Sequence, residues 1–513
     1  MASHTVRPHS TRLALRALLV IVGLLGLWVG DAAAGPLASP LVSPTPPPLA
    51  AQIHGFDALD PDPPYDNTGG AHSYAPLLRA ADGKLYGTTS QGGTHGQGTV
   101  FRVNEDGSMF EVVYDFNDAV DHTGMYPVGG LAQGGAPNFY IYGTASQGGA
   151  NDFGTIFRVD PAVLGSATLL HTFDETDGAN PTAGVILATI KDGDFNDVPG
   201  LYGTASNGGS SGAGTLFKMT LDGSFFQTMV HFNFSTYGAN PYGPVMMDRS
   251  GFLWGATGSG GKRGGGTIYR VNPSNNTITR RSLVFASTGS YTIAGLVQGQ
   301  SPDNAIYGTT WTGGRYGGGT IFKLNAGALV DLPSGSATAI TVLKHLEYAS
   351  GSSGVGIMRS SDSSLYVTTE QGGEFGYGTL YRIHPLNQAL ASETRQSFEY
   401  TSLGGYPEAP AIQGADGALY GTTFEGGTFG GGTVYRIAIV PDPVANAAAT
   451  AGDGEVTVDF DEPADPAGTG GSPITGYTVV CGVGPNQQQA TGTESPITVT
   501  GLQNGTAVSC TVV

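Results

Sequence analysis

One pattern recurs seven times along this chain and limits its fold more than any other feature. The first copy reads Leu85-Tyr86-Gly87-Thr88-Thr89, then the glycine-rich run Gly92-Gly93-Thr94-His95-Gly96-Gln97, then Gly98-Thr99-Val100-Phe101-Arg102. The aromatic position is held in turn by Tyr86, Tyr142, Tyr202, Trp254, Tyr307, Tyr366 and Tyr420, at spacings of 52 to 60 residues. A short apolar segment beside a proline (Pro76-Leu77-Leu78) precedes each copy, set off by a turn such as Asp82-Gly83. A second turn and a further apolar run (Phe110 to Phe116) follow it. The runs are short, alternate with period two and are rich in β-branched and aromatic residues, which predicts four strands joined as consecutive hairpins. A four-stranded unit of this period predicts a β-propeller blade of kelch-like length, and seven copies predict a seven-bladed ring. A parallel β-helix has shorter rungs and different turn positions and is the weaker alternative. The 83 glycines recur at fixed offsets between apolar runs, so they read as ordered turns rather than disorder.

The ends of the array bear on closure. The seventh unit runs from Gly432-Thr433 to Ile439-Val440 and meets Pro441 without a fourth strand. An orphan strand at the other end, Ile53-His54-Gly55-Phe56-Asp57, looks like the fourth strand Leu170-His171-Thr172-Phe173-Asp174. The N-terminal strand is therefore expected to complete the last blade and remove the open edges of a linear array. Upstream, Arg7, Arg12 and Arg16, the apolar run Ala17 to Val29 and Ala32-Ala33-Ala34 have the order of a secretory signal peptide. The expected organisation is a signal peptide (1–34), a Pro-rich linker (35–50), a propeller (51–440) and a C-terminal β-sandwich (441–513). No transmembrane span is expected after signal cleavage, and the location is secreted or cell-surface. Cleavage would remove three Arg and one Asp, taking the net charge from −19 to −21. An acidic chain with few Lys or Arg clusters argues against a nucleic-acid partner.

Beyond Pro441, Gly454-Glu455-Val456-Thr457-Val458-Asp459-Phe460 and Tyr477-Thr478-Val479-Val480-Cys481 alternate as sandwich strands. With Glu462-Pro463, Gly471-Ser472-Pro473-Ile474-Thr475-Gly476-Tyr477 and Thr500-Gly501-Leu502-Gln503-Asn504-Gly505, this piece resembles a fibronectin type III domain. Phe460 stands where that family usually has Trp, and Val508 where it has the corner tyrosine. The sequence stops before a final strand, so the domain reads as incomplete. Cys481 and Cys510 fall on its third and sixth strands and are expected to pair as a cross-strand disulfide. The seven-fold repeat, over roughly residues 70–440, resembles the bacterial choice-of-anchor GloVer tandem-repeat proteins. Val367 and Gly255-Ala256 depart from the pattern in units six and four. That resemblance implies export and surface attachment, and no activity.

Motifs that suggest chemistry have structural readings. The glycine-rich run joins two strands and lacks the Gly-Lys-Ser/Thr of a phosphate loop. Gly208, Ser210 and Gly212 match a nucleophile elbow, which requires a strand-to-helix turn that this position lacks. Asp192-Gly193-Asp194 begins like a calcium loop, but Asp197 stands where the sharp turn wants Gly and no Glu closes it. His54, His171, His231 and His345 fall in fourth strands, where structural roles are expected. No metal site, cofactor or catalytic residue is assigned. The positions that vary within the frame are the binding candidates: His95, Asp152, Phe153, Lys262, Arg263, Arg315, Tyr316, Glu374, Phe375, Tyr377 and Phe429 at the loop tips. Exposed aromatics and Arg beside fixed glycines suit recognition of a glycan or protein partner. The expected function is a non-catalytic binding or scaffold protein. A propeller-fold lyase or glycosidase is the alternative, and it would need one asymmetric cluster of carboxylates.

Overall fold

The computed structural model describes residues 38–39, 50–61, 66–325, 340–361, 363–383, 393–439, 444–463, 474, 476–482 and 487–513. The expected signal peptide, nearly all of the Pro-rich linker, and Gly471, Ser472, Pro473 and Thr475 lie outside these residues. The chain divides into two compact units, the larger centred on Pro46–Pro441 and the smaller on Asp442–Pro463 and Pro473–Val513. Among the described residues no helix is long and apolar enough to cross a membrane.

The larger unit is all-β and holds seven four-stranded antiparallel sheets. In the first, Leu78–Arg79, Leu85–Thr89, Thr99–Val103 and Glu111–Asp115 lie side by side in chain order. The repeat dictates the register, with Tyr86 opposite Arg102, Gly87 opposite Phe101 and Thr89 opposite Thr99. Gly87 leaves room for the ring opposite, since a Cβ there would lie 2.4 Å from Phe101 Cζ. The second threonine and the Gly-Thr threonine share a hydroxyl hydrogen bond in five sheets, as in Thr89–Thr99 at 2.9 Å and Thr423–Thr433 at 3.0 Å. In four repeats the recurring aromatic is anchored at its polar end by an aspartate of the first turn, whereas Tyr202 donates to Thr189 O. Tyr86 donates to Asp82 at 2.9 Å and Tyr420 to Asp416 at 3.0 Å. Trp254 substitutes because its indole N–H reaches Asp248 at 2.7 Å.

The seventh sheet is completed from the other end of the chain. Its members are Ile412–Gln413, Leu419–Thr423, Gly430–Ile437 and the N-terminal strand Ala50–Asp57, which pairs antiparallel with Gly430–Ile437. The expectation for the orphan strand therefore matches the observed pairing, with Ala50 opposite Ile437 and His54 opposite Val434. Successive sheets share buried clusters, as where Tyr86 and Val100 of the first meet Ile141 and Phe157 of the second. The seventh shares one with the first, in which Phe56, Tyr420 and Val434 pack on Leu85 and Phe101. A second contact repeats in the same way. The hydroxyl of the first threonine donates to the opening strand region of the next sheet, in Thr144 to Ala183 O (2.9 Å), Thr204 to Gly243 O (3.3 Å) and Thr309 to Gly354 O (3.1 Å). Thr422 makes this bond to Ala75 O at 3.1 Å, from the last sheet to the first.

In the smaller unit, Ala445–Ala451, Glu455–Asp461 and Ile497–Thr500 form one sheet. Tyr477–Cys481, Gln488–Gly492 and Val508–Val512 form another, with Ala38–Ser39 parallel at its edge. Their inner faces meet in a core of Val456, Val458, Phe460, Tyr477, Val479 and Val499. Cys481 lies opposite Cys510 in the register and the two are disulfide-bonded.

Candidate functional site

Each repeat sheet sends two connections to the same end. The loop between its second and third strands pairs with the connection leading into its first strand, as in Ala71 with Gln91, Ala179 with Asn207 and Gly405 with Glu425. Within the second connection, two residues after a glycine of positive φ, every repeat places a further residue in the left-handed conformation, and at this position none of the seven is glycine. They are His72, Tyr126, Asn180, Asn240, Tyr291, Ser353 and Tyr406, with φ between 50° and 61°. Glycine would adopt this backbone without strain, so the side chains must supply what it cannot.

Five of them reach the preceding repeat through their side chains, and the manner divides these positions into two arcs. In one arc Asn180 Nδ2 donates to Ser146 O (3.0 Å) and Asn240 Nδ2 to Ser206 O (3.1 Å) and Asn207 Oδ1 (3.0 Å). In the other the contact is between rings. Tyr291 meets Tyr242 (centroids 5.7 Å apart), Tyr406 meets Tyr377 (5.5 Å) and His72 stacks on Phe424 (4.4 Å). The residue after the threonine pair follows the same division. Ser90, Ser146 and Ser206 each donate to a neighbouring carbonyl, whereas Trp311, Glu370 and Phe424 replace serine in the fifth, sixth and seventh repeats.

Two residues beyond the left-handed position, seven side chains stand around a cavity of about 300 Å³ to which every repeat contributes: Tyr74, Val128, Thr182, Tyr242, Ile293, Val355 and Glu408. Its remaining lining is largely glycine, alanine, proline and aliphatic residues. Trp311 Nε1 donates to Glu370 Oε2 at 2.6 Å, and Gln371 Nε2 to Glu370 Oε1 at 2.9 Å. Burial, and then the charge of Glu370, push the Glu408 carboxyl up to about 8. Tyr74 is pushed up to about 12 by burial and by Glu408, Glu370 and Glu425. Three carboxylates thus share one arc with a chain of aromatic rings.

The eleven loop-tip candidates lie elsewhere on these connections. The residue following the Gly-Gly pair turns its backbone N–H onto a side chain of the fourth strand: Thr94 onto Asp115 (2.9 Å), Lys262 onto Ser282 (3.2 Å), Arg315 onto His345 (3.1 Å) and Glu374 onto Ser397 (3.3 Å). His95, Asp152, Lys262, Arg263, Arg315, Tyr316, Glu374, Phe375 and Phe429 are exposed, spread over several sheets at the fourth-strand side. Phe153 packs on a buried cluster instead. Of the eleven, Tyr377 joins the aromatic arc, through Tyr400 and Tyr406. The motifs given structural readings do have structural partners. Ser210 sits between two strands with its N–H on His231, and Asp192 caps a hairpin turn by accepting from the N–H groups of Asp194 and Asn196. His54 and His171 stack on Phe110 and Phe226. Among the described residues no group of three His, Cys, Asp or Glu could hold a metal ion.

The residues that converge on the cavity were not singled out from the sequence. They occupy one fixed offset, two after the left-handed residue, and the residues after the threonine pair, which do not line the cavity, occupy another, so superposing the seven copies column by column isolates both sets.

Residues 63–198, 196–330 and 325–461 match the Gloeobacter/Verrucomicrobia repeat, and the chain belongs to that family. No curated protein matches it. Among solved structures it is similar to PorZ, a bacterial surface component of the type-IX secretion system of Porphyromonas gingivalis, at 14% identity and a TM-score of 0.47. That similarity covers 87% of this chain and 58% of PorZ. The extracellular domain of BT4673 from B. thetaiotaomicron is similar at 10% identity and a TM-score of 0.42, over 89% of this chain and 58% of that one. A PQQ-bound aldose sugar dehydrogenase from Streptomyces coelicolor is similar at 14% and 0.36, over 72% and 97%. The chain spans under two thirds of the length of the first two.

Proposed function

We propose that this chain is an exported or cell-surface binding protein, in which a closed seven-bladed propeller of residues 51–440 presents one face to a glycan or protein partner. Closure is supported by the Thr422–Ala75 bond, which repeats between the last and first sheets the contact made between consecutive ones. The domain at 441–513 is of fibronectin type III type, a reading supported by its two facing sheets, to which residues 445–512 supply three strands each, and residues 1–34 direct export. The binding face is the one carrying both the cavity mouth and the loop tips. One observation carries this assignment. Residues that hold each sheet together repeat almost unchanged, whereas those that meet at the mouth differ from repeat to repeat and gather rings and carboxylates on one arc.

The test is a glycan array with the secreted chain, alongside turnover assays on the polysaccharides that bind. Stable binding without product release is the expected outcome. Trp311→Ala should weaken it by about 2 kcal/mol, the cost of truncating an aromatic anchor. Loss on Tyr316→Ala with Phe375→Ala instead would move the site to the outer tips. A second reading, a carbohydrate-active enzyme, is favoured by one observation: the Glu408 carboxyl is raised by burial and then by the nearby Glu370, so it can stay protonated near a second carboxyl. Product release abolished by Glu408→Gln would establish it.

A further inference from the structure

Glu408 is the one acidic side chain on the cavity wall, and no Lys or Arg lines the cavity. Among the described residues it has no hydrogen-bond partner, and the charge that reaches it comes from Glu370 and has the same sign. Glu408 is half-buried, and its ionised form there, without a donor or counter-ion, is disfavoured, a state that protonation or a bound cation relieves. The rings beside it suit the same ligand. Tyr74 and Tyr242 stand on the wall, Tyr291 links Tyr242 to Trp311 at centroid distances of 5.7 and 5.8 Å, and Phe424 lies 4.8 Å from Tyr74. Ring faces carry negative potential, and several of them around a carboxylate attract an ammonium ion more strongly than either feature alone. An anionic ligand would meet Glu370, Glu408 and Glu425. A neutral sugar could stack on the rings and hydrogen-bond Glu408 through a hydroxyl, but it would supply no counter-charge.

We infer that the mouth of this cavity takes an organic ammonium group, of the kind an amino sugar carries, with Glu408 as counter-ion and Tyr74, Tyr242 and Trp311 as the surrounding rings. This rests on the reading of the chain as a binding protein and specifies its ligand chemistry. The cavity, at about 300 Å³, is at the small end of ligand sites (roughly 300–1,000 Å³), so it receives one such group while the rest of the ligand lies across the arc. Glu408, raised to about 8 by burial and Glu370, is largely protonated at pH 7. A cation favours its ionised form, so binding releases a proton. Two titratable groups interact with it: Glu370, whose like charge raises it, and Tyr74, which stays neutral in this range.

The experiment is titration calorimetry on the secreted chain, run in two buffers of different ionisation enthalpy. The probes are choline, its uncharged isostere with carbon in place of nitrogen, a glucosamine trisaccharide and the N-acetylated trisaccharide. Choline and the glucosamine trisaccharide should bind about tenfold or more tightly than their uncharged counterparts, a difference of about 1.4 kcal/mol or more, with proton release. Glu408→Gln, with an unchanged melting temperature, should remove both the preference and the proton release. Glucosamine binding without choline binding identifies the sugar as the source of recognition and keeps the ammonium requirement. Equal binding of charged and uncharged probes, or a preference that survives Glu408→Gln, overturns the inference. If the N-acetylated trisaccharide binds through Trp311 regardless of Glu408, the binding-protein reading stands and only the ammonium inference falls. If no glycan, protein or probe binds, the underlying reading falls.

Discussion

Gly308 and Val367 occupy the same place in two repeats, and the difference between them shows what the frame requires. A Cβ on Gly308 would lie 2.6 Å from both Leu296 Cδ2 and Phe322 Cζ, closer than packed atoms approach. Val367 is buried opposite Tyr381, whose hydroxyl is drawn to the carbonyl of Ser350, at the end of the sheet. The ring opposite the aliphatic side chain is thus held by a bond that phenylalanine cannot make. Gly308→Val should therefore lower stability by about 2–3 kcal/mol through overpacking, and Val367→Gly by about 1–3 kcal/mol through lost packing and added backbone freedom. Urea midpoints measure both, and an unchanged midpoint for Gly308→Val would contradict the steric account. The same scale explains what could be read in advance. Glycines, threonines and aromatics that touch their own sheet recur identically, so their purpose was legible. Glu370, Glu408 and Trp311 act across sheets, and what marks them is their departure from the other copies at the same offset, not a pattern within one repeat.

At the scale of the element, the N-terminal strand Ala50–Asp57 fills the place of a fourth strand four hundred residues away in the chain, roughly speaking, from the sheet it completes. Its recognition in the sequence rested on a likeness to other fourth strands and on one missing strand at the far end. The pairing follows from that arithmetic of strands. Its histidine adds a pH dependence. His54 stacks on Phe110 at 3.7 Å, and burial lowers it from 6.5 to about 4, partly offset by Asp57. Between those values the unfolded chain binds a proton that the folded chain refuses. The stability tied to neutral His54 is complete above pH 6.5 and is lost as the pH falls toward 4. His54→Phe keeps a ring on Phe110 and removes the titration, so its melting temperature should fall less than that of the parent between pH 7 and 4.5. Parallel declines would show that His54 is not the group responsible. The first strands were less legible than the fourth. Most, like Leu78–Arg79 and Ile412–Gln413, are two residues long, too short for any periodicity, yet they bring the cavity residues together.

For the molecule as a whole, the decisive relation is that Ala50 lies opposite Ile437. The end of the seventh repeat and the start of the N-terminal strand are therefore a hairpin lacking only its turn. Joining Ile437 to Ala50 with a short Asn-Gly turn and opening the chain between Asp57 and Asn67 gives a permutant in which the last sheet is a continuous meander, like the first. It covers residues 66–437 followed by 50–57 and contains every strand of the larger unit. If the strand pairing and the contacts from last sheet to first are as described, this permutant needs no distant strand to finish a sheet. It should show the near-ultraviolet circular dichroism of the parent fragment 50–439 and a single unfolding transition. By contrast, removing residues 50–57 from the parent fragment strips Phe56 from the cluster shared by the seventh and first sheets and exposes Gly430–Ile437 as an edge. That truncation should lower the melting temperature sharply and favour association. A permutant that fails to fold, beside a truncation that melts normally, would mean that the N-terminal strand does not complete the array.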